Sequence, residues 1–126
     1  MKRLIVAAVL LLLAGAVCAA GFIYTRATAG RIIDDITISV ESLENGDKES
    51  ALAHIKSAED IWESNKPFLT LFIRHYEVHE LDHLLSRQWT VLARGDYNTF
   101  KENLRKSISH LQNIRESEML TLGNIF

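Results

Sequence analysis

Residues 4–24 read LIVAAVLLLLAGAVCAAGFIY, a run of 21 residues without a charge, proline, asparagine or glutamine, and Met1-Lys2-Arg3 precedes it. At about 1.5 Å per helical residue the run is roughly 32 Å long, enough to cross a bilayer core of about 30 Å. The sequence therefore predicts an N-terminal transmembrane anchor over residues 1–25. Residues 26–126 are then expected to form a domain held at a membrane.

A cleaved signal sequence is the alternative for this segment, since signal sequences also begin with basic residues. Their apolar regions usually run for about 7 to 15 residues, which is shorter than the run here. Residues 14–16 (AGA) and 18–20 (CAA) match small-x-small cleavage sites, so removal of the segment stays an open alternative. Cys18 lacks the upstream leucine that is typical of lipidated cysteines, and we interpret it as a small apolar residue of the span.

The cations around the span predict its orientation, because Lys and Arg near a span tend to stay in the cytoplasm. Lys2, Arg3 and the terminal amine precede the span, and Arg26 and Arg31 follow it, so the difference is slight. The three-residue head favours a cytoplasmic amino end and an extracytoplasmic domain. The predicted location is the cell membrane, with a single pass.

The charge of the domain excludes some partners. It carries 12 basic and 16 acidic residues, a net charge of −4 with histidine neutral. That sign disfavours nucleic acid as a partner, and also docking through a polybasic patch on anionic lipid. No cysteine follows Cys18, so packing rather than disulfides is expected to stabilise the domain.

Apolar residues recur at helical spacing along the domain, which contains a single proline, so an all-α fold is predicted. Helices are predicted over residues 28–44, 48–65, 67–94 and 97–114, forming a small antiparallel four-helix bundle or a pair of helical hairpins (28–65 and 67–114). The apolar tail, residues 115–126, is expected to pack back against the bundle, with insertion into a neighbouring protein or the membrane interface as the alternative. The predicted inward-facing residues are Ile32, Ile36, Val40 and Leu43; Ala51, Ile55, Ala58 and Trp62; Leu71, Val78, Leu81, Leu85, Trp89 and Leu92; and Tyr97, Phe100, Leu104, Ile108 and Leu111.

Two Gly-Asp pairs separate the predicted helices, at residues 46–47 and 95–96. Glycine ends a helix readily because it adopts left-handed conformations, and aspartate caps the helix that follows. The segments 43–47 and 92–96 are related by a shift of 49 residues. We interpret the similarity either as an internal duplication of a hairpin or as common helix punctuation.

His75, His79 and His83 follow one another at four-residue intervals and therefore share one helix face, with Asp82 close by. Imidazole groups at this spacing can bind zinc or nickel. A metal would also need ligands from another helix, and the Glu-x-x-His pair that two-metal carboxylate bundles use twice occurs here once. Metal binding by these histidines is thus an alternative hypothesis, and no cofactor is predicted.

The residue order around the histidines carries a family resemblance: Trp62, then residues 68–73 (FLTLFI), then His75, Glu77 and Asp82, and at the end residues 124–126 (NIF). This order resembles the bacterial domain-of-unknown-function 4363 family. The resemblance implies a short, membrane-anchored helical protein for which no activity is established. It also marks a structural or interaction motif, which comprises Trp62, Phe72, His75, Glu77, Asp82, Asn124, Ile125 and Phe126.

Two roles are open for this motif. In one, His75 pairs with a carboxylate or backbone carbonyl beside Trp62 and Phe72 in the core, forming a hydrogen-bonded lock. In the other, the same residues form an exposed groove for a helix of a partner. The sequence does not separate the two roles.

The function expected from the sequence is that of a non-catalytic accessory or protein-interaction module. The sequence contains no Gly-x-Ser-x-Gly elbow, no phosphate-binding glycine-rich loop and no thiol outside the span. The expected partners are the membrane and another membrane protein, and no oligomeric state is predicted. The alternatives are a metal-binding sensor or enzyme built on His75, His79 and His83, and a pH-responsive switch that uses the histidines.

Overall fold

The protein is all-α, as predicted. The computed structural model describes the backbone of residues 1–125 and the side chains of residues 1–116, and no strand occurs in that part of the chain. Five helices follow one another: α1 (Lys2–Glu44), α2 (Lys48–Leu69), α3 (His75–Leu85), α4 (Gln88–Ala93) and α5 (Tyr97–Ile125).

The apolar segment and the first helix of the bundle form one continuous helix, α1, of 43 residues. The sequence predicted a bundle helix that begins at Thr28, after a separate anchor. No proline or glycine lies between Tyr24 and Ala29, so nothing in the local sequence interrupts the backbone hydrogen bonds. Residues 2–20 are exposed, and burial begins at Gly21 and continues along one face of the helix. The bundle therefore holds the last turn of the apolar run.

The two predicted Gly-Asp turns are confirmed. Gly46 and Gly95 adopt φ angles of 80° and 84°, the left-handed conformation that ends a helix. The carboxylate Oδ1 of Asp47 accepts a hydrogen bond from the backbone N–H of Ser50 at 3.0 Å, and Asp96 does the same for Thr99 at 3.3 Å. Both helices therefore begin with the predicted side-chain cap.

The predicted third helix, residues 67–94, is wrong. Pro67 lies in the last turn of α2 instead of the first turn of a new helix, and α2 ends at Leu69. Because the position is close to the helix end, the missing N–H of proline removes few backbone hydrogen bonds. The hydroxyl of Thr70 donates to the carbonyl of Pro67 at 2.8 Å, and residues 70–74 form an irregular turn before α3.

A second break, at residues 86–87, separates α3 from the short α4. The two breaks change which side chains face inward. Leu71 and Trp89 were expected in the core but are 75% and 44% exposed, whereas Val78, Leu81, Leu85 and Leu92 are buried as predicted.

Helix α5 extends further than predicted, since its backbone continues beyond Ile114 to Ile125. Phe100, Leu104 and Leu111 are buried as predicted, whereas Tyr97 is 43% exposed. The side chains of the predicted apolar tail lie largely outside the described residues, which include Arg115 and Glu116 from this segment. Residues 115–125 thus continue the backbone of α5 and are not a separate element.

One hydrophobic cluster joins all five helices. α2 packs on α1, and α5 packs on α1, α3 and α4. α5 runs antiparallel to α1, because Tyr97 lies near Leu43 and Lys48 at one end, and Arg115 lies near Phe22 at the other. The buried members of this cluster are Ala29, Ile32, Ile36, Ala51, Ile55, Ala58, Trp62, Leu69, Val78, Leu81, Leu85, Leu92, Phe100, Leu104, Leu111 and Ile114.

Candidate functional site

A polar group at the junction of α2 and α3 joins two residues of the predicted motif. Trp62 is buried, and its indole Nε1–H donates to Oδ1 of Asp82 at 3.1 Å. Lys66, one turn after Trp62 on the same face of α2, places its Nζ 2.9 Å from the same oxygen. A buried indole N–H normally requires such an acceptor. Asp82 therefore satisfies Trp62 and ties α3 to α2.

Asp82 and Lys66 each stabilise the charged form of the other. Partial burial acts to raise the pKa of Asp82, but the hydrogen bonds from Lys66 and Trp62 outweigh it and hold the pKa below its usual value. The hydrogen bond to Asp82 raises the pKa of Lys66 in turn. Both groups are therefore ionised at neutral pH. Their contacts hold α2 and α3 together.

A second polar cluster, a carboxylate–histidine pair, ties α3 to α5. Glu77, also in the predicted motif, places Oε2 2.9 Å from Nδ1 of His110, and both side chains are about three-quarters buried. The predicted histidine of the lock was His75. His75 is exposed at the start of α3, and the acceptor beside Trp62 is Asp82.

A third polar cluster, which the sequence reasoning missed, bridges α1 and α2. Asp35 faces His54 and Ser57, with its Oδ1 3.1 Å from Nδ1 of His54 and its Oδ2 accepting the hydroxyl of Ser57 at 2.7 Å. The three residue types are those of a hydrolase triad, but here the serine donates to the carboxylate and not to the histidine. His54 is therefore not placed to deprotonate Ser57. His54 and Ser57 are three residues apart, so the sequence already places them on one face of α2. That Asp35 is their partner follows only from the packing of α1 against α2.

Glu59 forms a fourth link between helices. Its Oε1 accepts the backbone N–H of Trp89, in the first turn of α4, at 3.1 Å. Burial raises the pKa of Glu59, and the hydrogen bond from Trp89 opposes this in part. The contact fixes the start of α4 against α2.

The three histidines of the proposed metal face are not grouped with further metal-binding side chains in the described part of the chain. His75, His79 and His83 all lie on exposed positions of α3. No group of three or more His, Cys, Asp or Glu side chains that could hold a metal ion occurs among the described residues.

An apolar surface lies where the α2–α3 turn approaches α1. The ring of Phe72 lies against the backbone of Gly21, at a place where a methyl group would overlap it, and Phe72 remains 36% exposed. The rings of Tyr24 and Phe68 meet edge to face with centroids 6.1 Å apart. Phe68 and Leu71 are 61% and 75% exposed. Tyr24, Phe68, Leu71 and Phe72 are hereafter called the apolar rim.

The predicted family can be tested against this arrangement. A model of the family described as "Domain of unknown function (DUF4363)" matches residues 20–125. This chain belongs to the DUF4363 family. No curated protein and no solved structure matches the chain.

The match to DUF4363 covers the bundle and the last residues of the apolar run. It contains Trp62, Asp82, Glu77 and the apolar rim, and begins one residue before the first buried position, Gly21. Asn124 and Ile125 also fall within the match, but the side chains of residues 124–126 lie outside the described residues.

The N-terminal part of this DUF4363 chain has the features of a membrane span or a signal sequence. α1 contains a window that is long and apolar enough to cross a bilayer, and 6% of that window is buried in the protein. The core helix of a soluble protein would be mostly buried. The exposure of this window is compatible with a membrane anchor or a signal sequence.

Proposed function

We propose that this protein is a single-pass membrane protein whose helical domain acts as a non-catalytic accessory or interaction module. The observation that carries the proposal is the continuity of α1 from the apolar run into the core of the bundle. A helix without a break transmits position and orientation, so the domain is held at a set angle to the span. A flexible linker would be expected if the span served only to target the domain to the membrane or to tether it there.

The dimensions of α1 support this role. The helix continues for 20 residues beyond Tyr24, to Glu44, which at about 1.5 Å per residue carries the far end of the bundle roughly 30 Å from the end of the apolar run. The turns at Gly46 and Gly95 lie at that far end, since Tyr97 approaches Gly46. The domain is thus a short, rigid helical bundle whose exposed side chains are available to a partner.

The polar clusters support a structural use of the ionisable residues. The Trp62–Asp82–Lys66 group, the Glu77–His110 pair and the Asp35–His54–Ser57 cluster each join two helices. Their hydrogen-bonding groups bond to one another, and none presents an activated nucleophile. This arrangement favours a module that keeps a fixed shape over one that carries out chemistry.

The proposed topology places the amino end in the cytoplasm and the domain outside it. The support is the basic head, Lys2 and Arg3, in front of a first apolar helix, although Arg26 and Arg31 reduce the difference. Single-cysteine variants of the full-length protein in a Cys18→Ala background test this. Asn98→Cys, at an exposed site of α5, should react with a membrane-impermeant maleimide in intact cells. Reaction only after lysis would reverse the topology, and release by alkaline carbonate would refute the anchor.

Photo-crosslinking from native membranes tests the interaction module. A photoreactive residue at exposed Trp89 or Tyr97 of the full-length protein should capture a recurrent membrane-protein partner. His75→Ala with a matched His79→Ala variant tests whether this face of α3 takes part, and metal analysis of the same eluate tests the alternative. Stoichiometric metal without a partner would refute the proposal and direct attention to the histidines.

A further inference from the structure

The apolar rim lies at the level where the span leaves the hydrocarbon. A bilayer core of about 30 Å takes roughly 20 helical residues, so a span that begins at Leu4 ends close to Ile23. Phe72 lies against Gly21, inside that limit, and Phe68 lies against Tyr24, at its edge. The α2–α3 turn therefore returns to the height of the last turn of the span.

The rim groups four large apolar side chains that are exposed by at least one-third. Phe68 and Leu71 are among its most exposed, at 61% and 75%. Aromatic and apolar side chains at the ends of a span are typical of the membrane interface, where one end of the ring meets lipid and the other meets headgroups. Exposure of such a patch to water would be unfavourable.

The two chain segments that carry the rim are rich in basic residues, although the domain as a whole is acidic. Residues 20–33, in the middle of α1, and residues 65–76, around the α2–α3 turn, contain Arg26, Arg31, Lys66 and Arg74 and no Asp or Glu, with Lys66 paired to Asp82. Arg26, Arg31 and Arg115 line a shallow depression together with Phe22, Ile23 and one acidic residue, Asp34. All 16 acidic residues lie outside those two segments. The charge distribution therefore complements phosphate headgroups at this end.

We propose that the apolar rim rests in the interface of the same bilayer that α1 spans, with Phe68 and Leu71 at the boundary between headgroups and acyl chains. This inference rests on the proposed function, because it requires α1 to span. The rim and α1 then give the domain two points of contact with the membrane. Two contacts fix the tilt of the domain relative to the bilayer. With α1 as the only contact, the helix and the domain could tilt together in the membrane.

Spin-label accessibility in vesicles tests the inference. The full-length Cys18→Ala protein, labelled at Leu71→Cys or Phe68→Cys, is placed in phosphatidylcholine vesicles that contain a minority of phosphatidylglycerol. Leu11→Cys in the apolar run and Tyr97→Cys at the far end of the bundle are the matched controls, all at exposed positions. Circular dichroism checks that each variant is folded.

Labels at Leu71 and Phe68 should collide more often with oxygen, which dissolves in lipid, than with a water-soluble nickel chelate, as the Leu11 label does. The Tyr97 label should show the reverse. If the Leu11 label is in lipid but the labels at Leu71 and Phe68 are as accessible to water as the Tyr97 label, the inference about the rim is wrong. The proposal that α1 spans the membrane is then unaffected. A water-accessible Leu11 label refutes both. Labels shielded from both reagents would show that protein and not lipid covers the rim, which also refutes the inference.

Discussion

The indole N–H of Trp62 and the carboxylate of Asp82 meet at 3.1 Å across the junction of α2 and α3. The contact joins the largest fully buried side chain of the bundle to a carboxylate that is about one-third exposed. Lys66 neutralises that carboxylate from one turn along α2. A buried indole is thus satisfied without burial of an unpaired charge. The three residues fix how α3 turns back onto α2.

Replacement of Asp82 by Asn should lower the free energy of unfolding by about 1 to 2 kcal/mol at pH 7, because a charged acceptor is lost while a neutral oxygen remains. Asp60→Asn, at an exposed pair with Lys56, is the matched control and should change it by less than about 0.5 kcal/mol. Denaturant unfolding of the full-length protein in detergent measures both.

The same variant has an expected pH dependence. The pKa of Asp82 is lowered by folding, so its contribution is complete above the unfolded value of about 3.9 and is lost as the pH falls through the folded value. The difference between wild type and Asp82→Asn should therefore be constant from pH 5 to 7 and shrink only below about pH 4. A difference that shrinks already near pH 6 would show that a histidine, and not Asp82, controls the effect.

Glu59→Gln should make the protein slightly more stable at pH 7, by less than about 1 kcal/mol. Burial raises the pKa of Glu59, so ionisation destabilises the fold, and stability is lost as the pH rises from the unfolded value of about 4.3 through the folded one. Glutamine keeps an oxygen for the N–H of Trp89. Thermal unfolding should show the advantage at pH 7 and none below about pH 4. A variant less stable at pH 7 would show that the charge itself holds α4.

Gly21→Ala should move the ring of Phe72 away from α1, because the new methyl group would overlap it. The ring is partly exposed and can turn outward, so the expected loss is near the lower end of overpacking values, about 1 kcal/mol. Gly15→Ala and Gly30→Ala, which have open space, should not destabilise the protein. Fluorine NMR of the fluorophenylalanine-labelled protein, assigned with Phe72→Tyr, reports the ring. An unchanged Phe72 signal in Gly21→Ala would contradict the contact.

Trp62→Phe should lower the free energy of unfolding by about 2 to 3 kcal/mol, since it removes buried volume and leaves Asp82 without the indole donor. Trp89→Phe should change it by about 0.5 kcal/mol or less, because Trp89 is 44% exposed. Emission of the Trp89→Phe variant comes from Trp62 alone and should be blue-shifted and resistant to acrylamide. Ready quenching of that emission would show that Trp62 is solvated.

Helix ends with strong local signals were predictable. The turns at Gly46 and Gly95 follow from residue chemistry that needs no tertiary contact, and both occur where the sequence placed them. Pro67 misled the prediction, because proline is compatible with the first turn of a helix and also with a place close to its end. Packing of Leu69 into the core decided between the two.

The candidate site was predictable in part. The family resemblance named Trp62, Glu77 and Asp82, but the partners of these residues came from other helices. His110 and Glu77 are 33 residues apart in the sequence, and Asp82 and Trp62 are 20 residues apart. His75, which the sequence favoured for the hydrogen bond beside Trp62, is exposed in the first turn of α3, and Asp82 makes that contact instead.

The sequence by itself determined the all-α class, the apolar N-terminal run, the two glycine turns and the family, because each depends on local composition, periodicity or residue order. Tertiary structure alone decided the pairing of Asp82 with Trp62 and the place of the apolar rim beside Gly21. Residues distant in the chain become neighbours only after the helices pack, and neither spacing nor composition encodes that register.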